Sequence, residues 1–396
     1  MHQKPARVFV TGLGIISPAG DDLAAFWADL VAGRNRFAEL APLYAGMKPG
    51  VLGGRVPPRA RAHALAIVDE QTRAVPRAAS VFAEYAALAA VRDAGLRPGD
   101  DVLSDALVCI GSSDGQADAL EDLVAGRGQL TAARFAAHSI ADGVARQVGA
   151  AGPAFTVQNT CASANVALSC ALEMLRAGVA DTAVVGGCDA YSEKNIIGFS
   201  SLHAVGPVPC RPFAVDRRYV TPSEGAGVLV LQTERSLRSD RQPYAEVLAV
   251  AVNNDARHPT APDMNGVAAC HRLALRQAEV GADDISAVLA HGTGTRMNDE
   301  IEAAIFRADY PLAAVTAIKG TVGHLMGAAG AAGAVTACLC LRFGQVPPTA
   351  VDADAVEPDV NLVVGAPRRL PGLRYVQSNA FGFGGNNAIA IFRRPE

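Results

Sequence analysis

Short apolar runs recur along this chain, each followed by a helical pattern, and that alternation narrows the fold more than any other feature. Residues 7–17 read as a strand, a turn at the glycines and a second strand. Further runs at 105–111, 153–158, 182–187 and 225–232 read as buried strands. A second series begins near 243, with runs at 245–253, 286–290, 314–318, 374–380 and 387–393. Helical patterns fall at 22–32, 76–94, twice between 115 and 150, then at 161–176, 266–280 and 325–343. Gly95, Gly178 and Gly344 stand where C-caps belong. Residues 40–75 and 191–224 read as irregular. The chain therefore reads as two α/β halves, 1–242 and 243–396, with a mixed sheet in each. Similar layouts suggest an old duplication, although no close sequence repeat accompanies them.

Composition sets the bounds. With 396 residues, 50% hydrophobic and only 19% charged, the chain can bury a large core. A net charge of −4 gives no reason to expect a nucleic acid or an anionic membrane as partner. The eight cysteines show neither metal-ligand nor disulfide-framework spacing. Arg7 leads straight into an apolar strand with no signal-peptide pattern, so the expected setting is reducing and cytoplasmic. Leu325–Leu341 is uncharged but rich in Ala and Gly, which predicts a buried core helix rather than a membrane span.

Chemistry concentrates at strand ends. Cys161 lies where the 153–158 strand turns into a helix, and unpaired N–H groups there favour a thiolate. Taken alone, a buried cysteine packing as a small hydrophobe is the commoner outcome. In Ala290-His291-Gly-Thr293-Gly-Thr295 a histidine ends an apolar strand, beside hydroxyls able to bind a polar ligand. Lys319-Gly-Thr-Val-Gly-His324 adds a cation and a second imidazole, and Asn379-Ala-Phe381-Gly-Phe-Gly-Gly385 is a turn rich in glycine.

Together with Val10-Thr-Gly-Leu-Gly, Pro209-Cys-Arg-Pro-Phe213, Asp255-Ala-Arg-His-Pro-Thr260-Ala-Pro, Asn298-Asp299, Glu302 and Gly323-His-Leu-Met-Gly-Ala-Ala-Gly330, these stretches resemble the elongating β-ketoacyl synthases over nearly the whole chain. The resemblance implies a thiolase-like α/β fold, two similar halves forming α-β-α-β-α layers. It implies decarboxylative Claisen condensation of malonyl-carrier protein with an acyl chain held on Cys161. Backbone N–H groups of Cys161 and Phe381 are then the expected oxyanion donors. His291 and His324 are the expected neutral donors to the malonyl thioester. Lys319 is the cation that keeps them neutral, with Glu302 as its ion partner and Asp299 beside it. Thr260, Thr293 and Thr295 are expected along the pantetheine arm. No metal or organic cofactor is expected, because the phosphopantetheine of an acyl carrier protein brings both substrates. A homodimer, or a heterodimer with a chain-length-factor-like ketosynthase, is the expected assembly. The second histidine separates this pattern from the Cys-His-Asn initiating enzymes. The Phe381 turn lacks the cysteine that thiolases carry near the C-terminus. A non-elongating partner subunit with a vestigial cysteine is the alternative reading. Ala214, Arg218-Tyr219, Ser223 and Asn386 depart from the usual pattern, and so does Asp114, expected either as a solvated loop tip or as an influence on the acyl tunnel.

Overall fold

The computed structural model describes residues 5–42, 46–74, 77–127, 135–237, 241–357 and 359–396. Its centre is a ten-stranded sheet. The strands are β1 (Val8–Ile16), β2 (Leu107–Gly111), β3 (Ala154–Val157), β4 (Thr182–Asp189) and β5 (Gly225–Thr233), followed by β6 (Ala245–Asn254), β7 (Ala287–Leu289), β8 (Ala314–Thr316), β9 (Tyr375–Gly382) and β10 (Asn386–Arg393). The order β3-β2-β4-β5-β1 in the first half recurs as β8-β7-β9-β10-β6 in the second. Parallel and antiparallel pairings match too: β2 lies parallel to β3 and β4, and β7 parallel to β8 and β9, with antiparallel strands completing each half. The two sheets expected from the sequence are in fact joined. Phe9 pairs with Glu246 and Val10 with Ala245, which zips β1 to β6 and leaves no free edge at the middle.

Helices of eight or more residues are α1 (Leu23–Val31), α2 (Pro58–Ile67), α3 (Ala78–Asp93), α4 (Ala117–Val124), α5 (His138–Val148), α6 (Ser163–Arg176), α7 (Glu193–Ser201), α8 (Met264–Ala278), α9 (Arg296–Asp309) and α10 (Ala329–Phe343). Helices α6 and α10 pack against strands of both halves and form the middle layer. Helices α3 and α5 cover the outer face of the first half, and α8 and α9 that of the second. The result is five layers, α-β-α-β-α. The segment Met326–Phe343 is apolar enough to cross a membrane by composition, yet 83% of it is buried in the protein. It is the core helix that its Ala and Gly content predicts.

Several local expectations are corrected. Residues 8–16 form one strand, not two with a turn. The glycines there serve packing: a Cβ on Gly14 would sit 1.9 Å from the Ala86 carbonyl oxygen, and one on Gly12 2.2 Å from that of Ala90. Helix α3 thus lies directly on the strand backbone. The 40–75 stretch holds α2, begun by Pro58 at a position that needs no N–H donor. The 191–224 stretch holds α7, capped by Ser192, whose hydroxyl accepts from the Asn195 N–H. Residue 76, the expected start of α3, lies outside the described residues.

This packing predicts a sharp contrast between two glycines. Gly14→Ala should lower stability by about 1–3 kcal/mol through overpacking. Gly198→Ala, in α7 with no atom within 4 Å of the new methyl, should be neutral or gain up to about 1 kcal/mol. Thermal unfolding of both variants checks this, and equal midpoints would contradict the close approach of α3.

Candidate active site

The site forms where equivalent strands of the two halves end beside the middle helices. Cys161 follows β3 and stands two residues before the first residue of α6. The turn needs an unusual backbone: Thr160 adopts φ 47°, and its hydroxyl donates to the Phe383 carbonyl at 3.1 Å. The Asn159 N–H donates to Ser163 Oγ at 2.8 Å, which closes the turn around the cysteine. His291 follows β7, and His324 follows β8 through the short helix Lys319–Val322. Phe381 lies at the end of β9. Cys161, His291, His324 and Phe381 all line one cavity of about 630 Å³.

Hydrogen bonds fix both imidazole tautomers. His324 Nδ1 accepts the Met326 N–H at 3.2 Å. His291 Nδ1 accepts the Phe381 N–H at 3.2 Å and faces Lys319 Nζ at 3.2 Å. With Nδ1 acting as acceptor, a neutral ring carries its proton on Nε2. Burial pushes both histidines well below the ordinary 6.5, Lys319 pushes them further, and His324 adds to the effect on His291. Their rings lie 5.5 Å apart and nearly perpendicular. Two neutral donors therefore share the cavity.

The carboxylates have a different task from the one expected. Glu302 is not ion-paired with Lys319: among the described residues no carboxylate reaches Lys319, whose ammonium donates instead to the His291 carbonyl. Glu302 Oε1 accepts from the His291 N–H at 2.8 Å and Asn379 Nδ2 at 3.1 Å. Its Oε2 accepts from the Gly292 N–H at 2.7 Å and Asn298 Nδ2 at 3.0 Å. Asp299 accepts from the N–H groups of Thr293, Gly294 and Phe213 at 2.8–3.2 Å. Both side chains sit on α9 and are fully buried. Burial raises Asp299 to about 6 and raises Glu302, while these donors pull the other way. The pair clamps the strand-end turn in place.

Cys161 also departs from expectation. Burial pushes its thiol up to about 12, Lys319 lowers it, and Asp189 and Asp114 raise it. The position beside a helix N-terminus does not overcome desolvation, so the resting residue is a thiol. The Phe381 N–H, expected as a free oxyanion donor, is engaged by His291 Nδ1. At 3.2 Å that bond is long, and a developing oxyanion is a stronger acceptor.

Thr260, Thr293 and Thr295 all line the cavity, with the hydroxyls of Thr293 and Thr295 2.8 Å apart. Sequence reasoning did not assign Arg218, Arg296, Met297, Phe199 or Phe383 to this wall; only the fold brings their segments together. Asp114 is no solvated loop tip. Its side chain is 5% exposed, paired with Lys194 and bonded by the Ser192 hydroxyl at 2.6 Å. Ser223 braces the loop beside His324: its hydroxyl lies 2.7 Å from the Val322 carbonyl and 2.9 Å from that of Gly54, able to donate to either, while its N–H donates to the His324 carbonyl. Asn386 donates to the Phe383 carbonyl at 2.9 Å and steadies the glycine turn. Ala214 is buried and its carbonyl accepts from Arg217 at 2.9 Å. Among the described residues no group of three or more His, Cys, Asp or Glu is arranged to hold a metal.

Residues 6–236 match the β-ketoacyl synthase N-terminal domain, and residues 244–351 match its C-terminal domain. The chain is 31% identical to nodulation protein E of Rhizobium meliloti (strain 1021), covering 98% of this chain and 99% of that protein. It is 32% identical to 3-oxoacyl-[acyl-carrier-protein] synthase 2 of the same organism, with the same coverage. Among solved structures it is similar to the ishigamide ketosynthase/chain length factor. There the TM-score is 0.90 at 33% identity, over 99% of this chain and 100% of that one.

Replacing Lys319 tests the electrostatics of the site. Lys319→Met removes a cation that depresses both histidines, so their titration should move up toward 6.5. Any acid limb of activity should move up in pH with it, because the neutral donors are lost as pH falls through their folded pKa. Nitrogen NMR of labelled histidine reads this directly. Unmoved resonances would refute the role of Lys319.

Proposed function

The chain belongs to the β-ketoacyl synthase family, and from that premise we propose which residues perform decarboxylative condensation here. The observation that carries the proposal is the convergence of Cys161 with two neutral Nε2–H donors in one cavity. Cys161 takes the acyl group from a carrier-protein thioester. Its sulfur bonds to the acyl carbon, the carrier thiol leaves, and the proton of Cys161 passes to that thiol. The N–H groups of Cys161 and Phe381 hold the oxyanion meanwhile, with Phe381 turning its donor from His291 to the charged oxygen.

Malonyl-carrier protein then enters. Its thioester oxygen accepts from Nε2 of His291 and His324, carbon dioxide departs, and the electron pair it leaves forms an enolate on that oxygen. The enolate carbon attacks the acyl carbon on Cys161, the carbon–sulfur bond breaks, and the released thiolate takes up a proton from solvent water. Burial, reinforced by Lys319, keeps the imidazoles neutral, while Glu302 and Asp299 are positioning residues. The pantetheine arm lies along Thr260, Thr293 and Thr295. In this reading the half 1–242 supplies the nucleophile and the half 243–396 the decarboxylation donors.

Likeness to both the 3-oxoacyl-carrier synthase and the ishigamide assembly supports a place in type II fatty-acid or polyketide synthesis. It supports an acyl carrier protein as partner, and assembly either with a second copy or with a chain-length-factor-like subunit. Eight unpaired cysteines favour a reducing, cytoplasmic setting. The buried thiol, pushed up to about 12, and the likeness to an assembly that includes a chain length factor both fit the alternative of a non-elongating partner subunit. One experiment separates the two readings. Incubation with an acyl-carrier thioester should add a single acyl mass, mapped to the peptide containing Cys161. Cys161→Ala should abolish both adduct and elongation. His291→Ala or His324→Ala should slow carbon dioxide release from malonyl-carrier by about 10²–10³ while leaving acylation measurable. A chain that is never acylated, or elongation that survives Cys161→Ala, favours the partner subunit.

A further inference from the structure

Two arginines line the active-site cavity without any acidic partner. Arg218 and Arg296 are exposed members of its wall, and among the described residues neither forms an ion pair. Arg218 lies only over the ring of its neighbour Tyr219, 5.2 Å from the centroid. The surrounding arginines are all satisfied: Arg211 by Asp216 and Asp352, Arg217 by Glu357, and Arg257 by Asp263. Glu300, on the same helix as Arg296, turns to Arg217 instead.

Local energetics oppose a cation at position 296. It is the first residue of α9, whose N-terminus carries partial positive charge. Asp299 in the same turn does not offset it, being fully buried and occupied by backbone donors. Arg218 lies in a loop that adjoins the turn leading into α9 and Arg296. A Cβ on Gly294, two residues before Arg296, would lie 3.0 Å from the carbonyl oxygen of Tyr219, next to Arg218. The same cavity is lined by the buried Cys161 and by Thr293 and Thr295, whose hydroxyls lie 2.8 Å apart. The wall thus combines a buried thiol, neutral polar groups and two exposed arginines without an acidic partner.

We propose that Arg218 and Arg296 form an anion clamp for the phosphate at the outer end of a pantetheine arm, as borne by a carrier protein. Guanidinium suits phosphate because its N–H groups match the oxygens in pairs. The assignment of the arm rests on the function proposed above; the clamp itself is tested by binding and does not depend on turnover. Coenzyme A carries the same chemistry as a diphosphate, so the test includes it.

Calorimetry compares 4′-phosphopantetheine with pantetheine, which differ only in the phosphate. The wild-type enzyme should bind the phosphorylated arm at least about tenfold more tightly, as expected for charge-assisted bonds. That ratio should shrink with added salt. Arg218→Ala and Arg296→Ala should each bring it most of the way to one, and Arg218→Lys should restore part of it. Both positions are exposed, so the variants should fold. Equal affinity for the two arms in the wild type, or an unchanged ratio in both variants, overturns the clamp. Titration with holo-carrier and with coenzyme A then assigns the source. Weaker holo-carrier binding in both variants supports the carrier, and a loss confined to coenzyme A overturns that assignment. Failure of the synthase reading would appear elsewhere, as absence of acyl transfer to Cys161.

Discussion

Glu302 carries the constraint on which the site depends. One fully buried carboxylate accepts from the His291 and Gly292 backbones, from Asn298 on its own helix and from Asn379 on β9. It thereby ties together the end of β7, the start of α9 and the strand that carries Phe381. A buried charge is tolerated because every oxygen is satisfied. With its oxygens so occupied, it makes no direct contact with Lys319, although its charge still favours the ammonium. Lys319 turns to the His291 carbonyl and imidazole instead, and its charge acts on both histidines.

Burial decides the electrostatics of the rest. It lowers His291 and His324, which suits hydrogen-bond donors to a forming enolate, and raises Cys161, which does not suit a resting thiolate. In the proposed mechanism the same burial thus favours the decarboxylation half of the chemistry and burdens the acyl-transfer half. In that mechanism the burden on Cys161 is met at the moment of reaction, when the leaving thiolate takes its proton and the oxyanion draws in the backbone donors. At the mouth, where Arg218 and Arg296 are solvated, uncompensated charge costs little and stays available to a ligand.

Small residues make this geometry possible. The middle layer requires α6 and α10 to touch strands of both halves, and α3 lies directly on the backbone of β1. Asn165 on α6 donates to the carbonyls of Ser378 and Ala388, binding the nucleophile's helix to the second half. Asp189, at the end of β4, accepts from the N–H groups of Ser113 and Gly327 and locks the start of α10 against the β2 loop. The catalytic groups are held by such cross-half contacts, so neither half alone contains the site.

Much of this was legible in the sequence. Period and composition set nine of the ten strands to within two residues at either end, because a buried strand reads as a short continuous apolar run. Gly178 and Gly344 marked helix ends through their backbone freedom alone. Cys161, His291, Lys319, His324 and Phe381 stood out as unusual chemistry at strand ends. What failed were the inferences needing neighbours far along the chain. Gly12 and Gly14 read as a turn because a linear reading cannot see α3 pressing on them. Thiolate at Cys161 followed from a helix start, but burial, which only the packed layers create, outweighs it. Glu302 looked like a partner for Lys319 by charge, until tertiary structure filled its oxygens with N–H donors. Arg218 and Arg296 are 78 positions apart, and only the folded chain sets them on one wall, since residue order fixes local conformation while long-range packing fixes which charges meet.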